Sequence, residues 1–507
     1  MKTRILTLLI IFVIVTSCSK DNDEVGTEGS TVVTEEGITI RSLVSKAIAE
    51  GMTNIDAADE EDLLENSTFS STVKITFGNT IEIDNPLEGK GVKISESNGD
   101  VIISSTVSEL EYELSGSTAN GSVKIYSEKK FKLTLNNVSI KNDDGPAINI
   151  QSGKRAFVVL ADQSNNTLED GVTYNSSTDE DQKGTFFSEG QLIFSGGGTL
   201  NVVGNNKHGI VTDDYIRFIS GTINVVKAAS DGLHSNDGIF IDGGTFDITA
   251  ASDGIEAEKG QVVINSGDFN INVVDDGITA SYTDDNSIDP YVVINDGTFK
   301  IKTSEGEGIE SKSTLTINGG QIYIDAYDDA INAGKAIYIN DGTIVAFSSS
   351  NDAIDSNGIL TITGGKTFAI GRETGFDCDN NTFKITGGLL IGGGGSTSMP
   401  TSNVSTQASV ILGNGNANNI YSLLDNENKE LITFKSPSSF STLVLSTGGM
   451  AISSTYKLVN VSDVENATEF NGLYTAGTFS NPIVASTFTL SAMVTRIGGS
   501  TGPGGGR

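Results

Sequence analysis

The chain has 507 residues, and 65 Asp and Glu against 32 Lys and Arg give it a formal net charge of −33. A surplus of that size repels phosphate backbones and anionic headgroups, which argues against nucleic acid as a partner and for cations. Gly is abundant (59), Pro scarce (7) and Trp absent, while Val, Ile, Thr, Phe and Asn recur in short alternating runs, the composition of a strand-and-turn protein.

At the N-terminus Lys2 and Arg4 precede an apolar run from Ile5 to Val15, and small residues lead on to Cys18. The run is too short to span a bilayer. With Val15, Thr16, Ser17 and Cys18 as a lipobox, residues 1–17 resemble the signal peptide of bacterial lipoproteins. That resemblance implies an acylated Cys18 as first mature residue, with the membrane touched only through the lipid anchor. The acidic SKDNDE after it is similar to signals that send outer-membrane lipoproteins to the cell surface. The second cysteine, Cys378, stands far away, so no disulfide framework is expected.

Residues 18–70 are polar and acidic, as in a tether. Within them Ile40, Leu43, Val44, Ala47 and Ile48 keep helical spacing before Gly51, which predicts a short helix whose apolar face caps the next domain. Residues 71–400 read as strands throughout, beginning with runs such as VKITF, VKIYS and FKLTLNNVSI.

A repeat becomes legible near Asp144. Phe186, Ile210, Leu233, Ile255, Ile278, Ile309, Ile331, Ile354 and Phe376 follow one another at spacings of 24, 23, 22, 23, 31, 22, 23 and 22, the long interval holding an insertion, TDDNSID. Two positions after each anchor stands a small residue, Ser188, Thr212, Ser235, Ala257, Ala280, Ser311, Ala333, Ser356 and Cys378. Residues two apart on a strand share a face, so each set lines one interior column, and Cys378 is a buried structural residue. About ten residues further on comes a second unit, seen in VVINSGDFNI, VVINDGTFKI and LTINGGQIYI, which alternates apolar and polar residues around a Gly-bearing turn. A fixed short period built from strands alone predicts an all-β, single-stranded parallel β-helix, right-handed by analogy, with one coil per 22 to 23 residues. Residues 401–507 lose the period and read as a β-rich cap ending in a Gly-rich tail; open sheet edges need covers at both ends.

In such a solenoid equivalent residues stack at roughly 4.8 Å. The position two before the anchor then forms a column of His208, Asp231, Asp253, Asp276, Glu307, Asp329 and Asp352. The position just after the anchor points outward and carries His234, Glu256, Thr279, Glu310, Asn332, Asp355 and Asp377. Bare like charges at that spacing repel by about 0.9 kcal/mol per pair in water and about 3.5 at an effective dielectric of 20, so the rows call for protons or counter-cations. Asp before Gly is also turn chemistry, its carboxylate accepting from nearby backbone N–H groups. That alternative accounts for Asp-Gly alone and not for Glu307 or the second acidic row. Calcium takes oxygen ligands at about 2.3–2.6 Å, so ligands on opposite sides of one ion lie about 5 Å apart, close to the rung spacing. Asp231, Asp253, Glu256, Asp276, Glu307, Glu310, Asp329, Asp352 and Asp355 are the candidate Ca2+ ligands. His208 and His234, at the N-terminal end of the rows, form a weak zinc case by themselves and read as cation-like neighbours ending an acid stack.

The succession LTLNNVSIKNDDGPAINI (133–150), NNTLEDGVTY (165–174), KGTFFSEGQLIFSGGGTLNV (183–202), KHGIVTDDYI (207–216) and the Asp-Gly-Ile coils resembles the calcium-associated carbohydrate-binding β-helix proteins over roughly residues 120–390. The resemblance implies a fold similar to pectate-lyase-type polysaccharide lyases and a polysaccharide partner, cellulose-like or acidic and pectin-like. Ala330 and Ala353 depart from the pattern by replacing Gly, which puts binding by those two coils in doubt.

Three functions stay open: a non-catalytic surface glycan binder, a calcium-dependent polysaccharide lyase, and an adhesin or scaffold. No P-loop or H-E-x-x-H helix is present, and paired carboxylates are too numerous for any one pair to be specific. For sugar contact the candidates are Tyr282, Tyr291, Tyr323 and Tyr327, near the insertion, with Lys312 beside the acidic rows.

Overall fold

The computed structural model describes residues 37–175, 180–282 and 287–502. Cys18, the lipobox and most of the TDDNSID insertion lie outside them.

Each coil of the repeat contributes three strands. In one coil these are the short strand Ile255–Ala257, the middle strand Gln261–Ile264 and the long strand Asp268–Val273. Short strands stack only on short strands and make a twelve-stranded sheet that runs from Val92–Ser97 to Ile354–Ser356. Past an antiparallel hairpin at its first edge the pairing is parallel, and the anchors sit in one register: Phe186 on Ile210, Ile210 on Leu233, Leu233 on Ile255, and so on to Ile331 on Ile354. The middle and long strands stack likewise, and the strand Phe131–Lys141 joins their two sheets by pairing with Ala156–Leu160 along its first half and Asn165–Glu169 along its second. The molecule is thus the all-β parallel solenoid that the period implies.

The interior is built of stacked, mostly apolar columns. Anchors and small residues are buried in one continuous core, Cys378 among them as a free thiol. Phe246, Phe269 and Phe299 stack across three coils with centroids 4.9 and 4.6 Å apart. Gly277 is required where it stands, because a Cβ there would come within 2.4 Å of the Gly308 carbonyl oxygen. The corresponding Ala330 and Ala353 are fully buried and point into the core, so their extra methyls face away from the acidic rows.

The solenoid ends at Leu389–Gly394, whose outer edge pairs antiparallel with Thr442–Ser446. A seven-stranded antiparallel sheet follows, and its Phe434, Leu423 and Leu473 share a buried cluster with Val345, Phe368 and Ile391 of the last coils.

Residues 40–51 do not form the expected helix. Their helical spacing is overridden because they run extended against the solenoid: Ile48 is 88% exposed, and the backbone N–H of Ala47 donates to Thr363 O at 2.8 Å. Residues 37–62 are a strap and not a loose tether. The strap starts as a strand, Ile38–Thr39, paired with Leu473–Phe479 in the C-terminal sheet, then descends the coils toward the N-terminal end.

Candidate functional site

The outer face of the short-strand sheet carries both acidic rows. In the row two before the anchor, the aspartates serve the main chain of the next coil. Asp231 Oδ1 accepts the backbone N–H of Asp253 (3.3 Å), Asp253 Oδ1 that of Asp276 (2.9 Å), and Asp276 Oδ1 that of Glu307 (2.8 Å). Asp329 does the same for Asp352 (2.9 Å) and Asp352 for Thr374 (2.7 Å). The carboxylates do cap backbone N–H groups, as turn chemistry expects, but across coils and not within their own turn. One oxygen of each of these aspartates is spent on the fold; the second meets His208 and His234 in Asp231 and the Asn332 amide in Asp329.

Burial sets the electrostatics. It pushes the Asp253 carboxyl up to about 8, helped by the charges of Asp231 and Glu256, and Asp329 up to about 8 against the bonds from Asn332 and the Asp352 backbone. Asp352 and Asp355 are raised to about 7, by burial first and then by like charges, Asp377 among them. Burial also raises Asp276 and Glu307, and the hydrogen bond between the two carboxyls pushes Asp276 further up. Asp231 is the exception: burial opposes its charge, and His208 and His234 outweigh burial to hold it well below the usual carboxylate range.

The rows break into local groups. Ligand atoms of Asp231, Asp253 and Glu256 lie within 4.8 Å of one another, as do those of Asp253, Asp275 and Asp276, and of Asp352, Asp355 and Asp377. Asp275 and Asp377 were not among the candidate ligands; Asp-Asp before Gly, and the row position after Phe376, were the signals for them. Glu310 is instead engaged by Lys312 and by the Thr279 hydroxyl (3.2 Å), and Asp329 accepts from the Asn332 side chain at 3.0 Å. In the third group the Asp355 Oδ1 atom is buried and without a hydrogen-bond partner. A buried carboxylate oxygen in that condition costs free energy unless a cation or proton meets it. The donor set, all carboxylate oxygen, fits calcium.

The four tyrosines do not share a face, because sequence neighbours around the insertion are spread over the three sheets of the coil. Tyr291 starts a middle strand and packs against the Phe240, Val263 and Val293 cluster that Met52 and Ile55 of the strap also cover. Tyr323, on a long strand, meets Phe347 edge-on in the cluster shared with the C-terminal sheet. Tyr282 is half-buried just beyond a short strand, and Tyr327, 48% exposed, stands in the turn leading to Asp329.

A second ladder went unread in the sequence. Asn265, Asn295, Asn318 and Asn340 follow the middle strand in successive coils, and each side-chain amide donates to the side chain one coil below: Asp242 (2.8 Å), Asn265 (2.8 Å), Asn295 (2.9 Å) and Asn318 (2.9 Å). The same amides donate to strap carbonyls at Asp56, Ile55, Met52 and Glu50, at 2.8, 2.7, 3.0 and 2.8 Å. Arg217, only 4% exposed, donates to Ala57 O (2.6 Å) and pairs with Asp242, and Arg155 pairs with Asp62 at the strap's lower end. The repeated Ile-Asn before each Gly turn was the available signal.

A family model described as "Carbohydrate-binding domain-containing protein" matches residues 97–351, half of the chain. No curated protein is a significant match. Among solved structures, one titled "Structure of the polysaccharide lyase-like protein from C. thermocellum, Gadolinium derivative" is 24% identical, with a TM-score of 0.38 over 58% of this chain and 97% of that one.

Proposed function

The chain belongs to the carbohydrate-binding domain-containing protein family, and from that premise we propose that it holds polysaccharide on the outer face of the short-strand sheet, through calcium and without cleaving it. The observation that carries the calcium part is the buried, unpartnered Oδ1 of Asp355 among the carboxylates of Asp352 and Asp377. Those residues would hold the ion, which would supply open coordination positions for glycan oxygens. A chain with net charge −33 repels a polyuronate, so an acidic, pectin-like glycan needs the cation as a bridge, whereas a neutral one does not. A lipid anchor on Cys18 would present this face at the cell surface.

Retention is favoured over lyase chemistry by the state of the nearby bases. Removing a proton next to a uronate carboxyl requires a neutral base. Burial disfavours the charged form of Lys312, but Glu310 outweighs it by charge and hydrogen bond and raises the ammonium pKa, the wrong direction for a base. Arg217 is committed to the strap on another sheet. The test is polygalacturonate and cellulose retention with calcium and with EDTA, followed by assays for unsaturated uronide and new reducing ends. Calcium-dependent retention of polygalacturonate at unchanged chain length is expected. Sustained product formation, or failure to retain either glycan, overturns the reading.

A further inference from the structure

His208 and His234 lie at the N-terminal end of the acidic rows, on adjacent coils. Their rings stack with centroids 4.3 Å apart and an interplanar angle of 28°. Both present Nδ1 to the same atom, Asp231 Oδ2, at 2.8 Å from His208 and 3.0 Å from His234. The Asp231 Oδ1 atom is already spent on the Asp253 backbone and the Ser230 hydroxyl. A fourth atom, Glu256 Oε2, stands 3.0 Å from His234 Nδ1.

Ordinary hydrogen bonding does not account for this convergence. One imidazole N–H cannot serve two carboxylates well, yet His234 Nδ1 faces both Asp231 and Glu256. His208 Nδ1 is buried and lies 2.8 Å from Asp231 Oδ2, in a direction poor for an N–H···O bond. Two nitrogens and a carboxylate oxygen within 4.8 Å of one another are the ligand types of a borderline metal, and neutral imidazole is a poor ligand for calcium. Tetrahedral ligation at 2.0–2.1 Å separates ligand atoms by about 3.3 Å, so the two histidine contacts to Asp231 Oδ2 would open by only a few tenths of an ångström. The outer nitrogen of His234 lies 3.7 Å from Glu258 Oε2, where a carboxylate orients a metal-bound imidazole.

We propose that His208 Nδ1, His234 Nδ1 and Asp231 Oδ2 form a Zn2+ site with a fourth position open to solvent, chemically distinct from the calcium-type carboxylate groups further along the rows and independent of the glycan reading. An open depression lined by Lys183, Lys207, Ser252 and Asn236 reaches it from solvent, which gives the ion an entry path.

The experiment uses the full chain, stripped with chelator and returned to calcium-containing buffer. Zn2+ is titrated by calorimetry, and Co2+ is added separately as a spectroscopic stand-in. One Zn2+ per chain is expected in the presence of calcium, and Co2+ should give the intense visible bands of a tetrahedral site. His208→Ala and His234→Ala should each weaken Zn2+ by about tenfold or more and abolish those bands. Thermal melts report whether each variant is folded. If His234→Ala does not fold, the less buried His208→Ala decides. Absence of Zn2+ binding in calcium, or Zn2+ binding that survives loss of His208, overturns the proposal; in the first case the imidazoles are only protonated counter-charges to the acid stack.

Discussion

Asp329 Oδ1 accepts the backbone N–H of Asp352 at 2.9 Å, so a side chain on one coil completes the main-chain hydrogen bonding of the next. This explains why a carboxylate recurs before the anchor even where no ion is needed. Its cost is burial of like charges in a row, met by protons or by cations.

Metal-free protein should lose stability as pH rises. Asp253 and Asp329 titrate near about 8 in the fold and Asp352 and Asp355 near about 7, against an ordinary unfolded value of about 3.9. Below about 4 both states are protonated and nothing is lost; between about 4 and about 8 the native state holds more protons than the unfolded one, so stability falls with pH. Thermal midpoints in EDTA should therefore drop from about pH 5 to about pH 8, and calcium should shrink the drop. A midpoint that rises over this range contradicts the assignment.

Calcium should stabilise by linkage, by about 2.7 kcal/mol at a concentration of 100 Kd. Asp355→Asn should abolish most of that shift while leaving the calcium-free midpoint at or above wild type, since it removes a charge from a repelling group. Paired melts of the two proteins in calcium and EDTA check both halves.

Cutting the asparagine ladder should loosen the strap. Asn318→Ala removes donors to Met52 O and Asn295 Oδ1 and leaves the Asn340 amide short of an acceptor. The expected loss is about 1–3 kcal/mol in denaturant unfolding. Protease cleavage between residues 50 and 57, mapped by mass spectrometry, should be faster than in wild type.

Phe269→Ala opens a hole in the middle of the Phe246, Phe269 and Phe299 stack, where the ring is 4% exposed. Such deletions cost about 3–5 kcal/mol. Unfolding in urea measures it; a loss below about 1 kcal/mol would mean that the stack collapses around the gap.

How much of this was legible in the sequence depends on how each feature is encoded. The coil period, the three-strand unit and the buried columns that end at Cys378 are written locally and repeated, so anchors 22 to 23 residues apart leave a single register that keeps every large side chain inside. The two acidic rows follow from that register alone. The strap does not, because it is held by amides of Asn265, Asn295, Asn318 and Asn340 bonding to carbonyls more than two hundred residues earlier, and backbone acceptors carry no sequence mark. Its helical spacing of apolar residues was a local preference that those non-local bonds overrode. Likewise the sequence placed His208, Asp231 and His234 in neighbouring columns, but only the packing of adjacent coils turned both imidazoles onto one carboxylate oxygen. Side-chain direction at an outward position is set by its neighbours in space and not by the repeat.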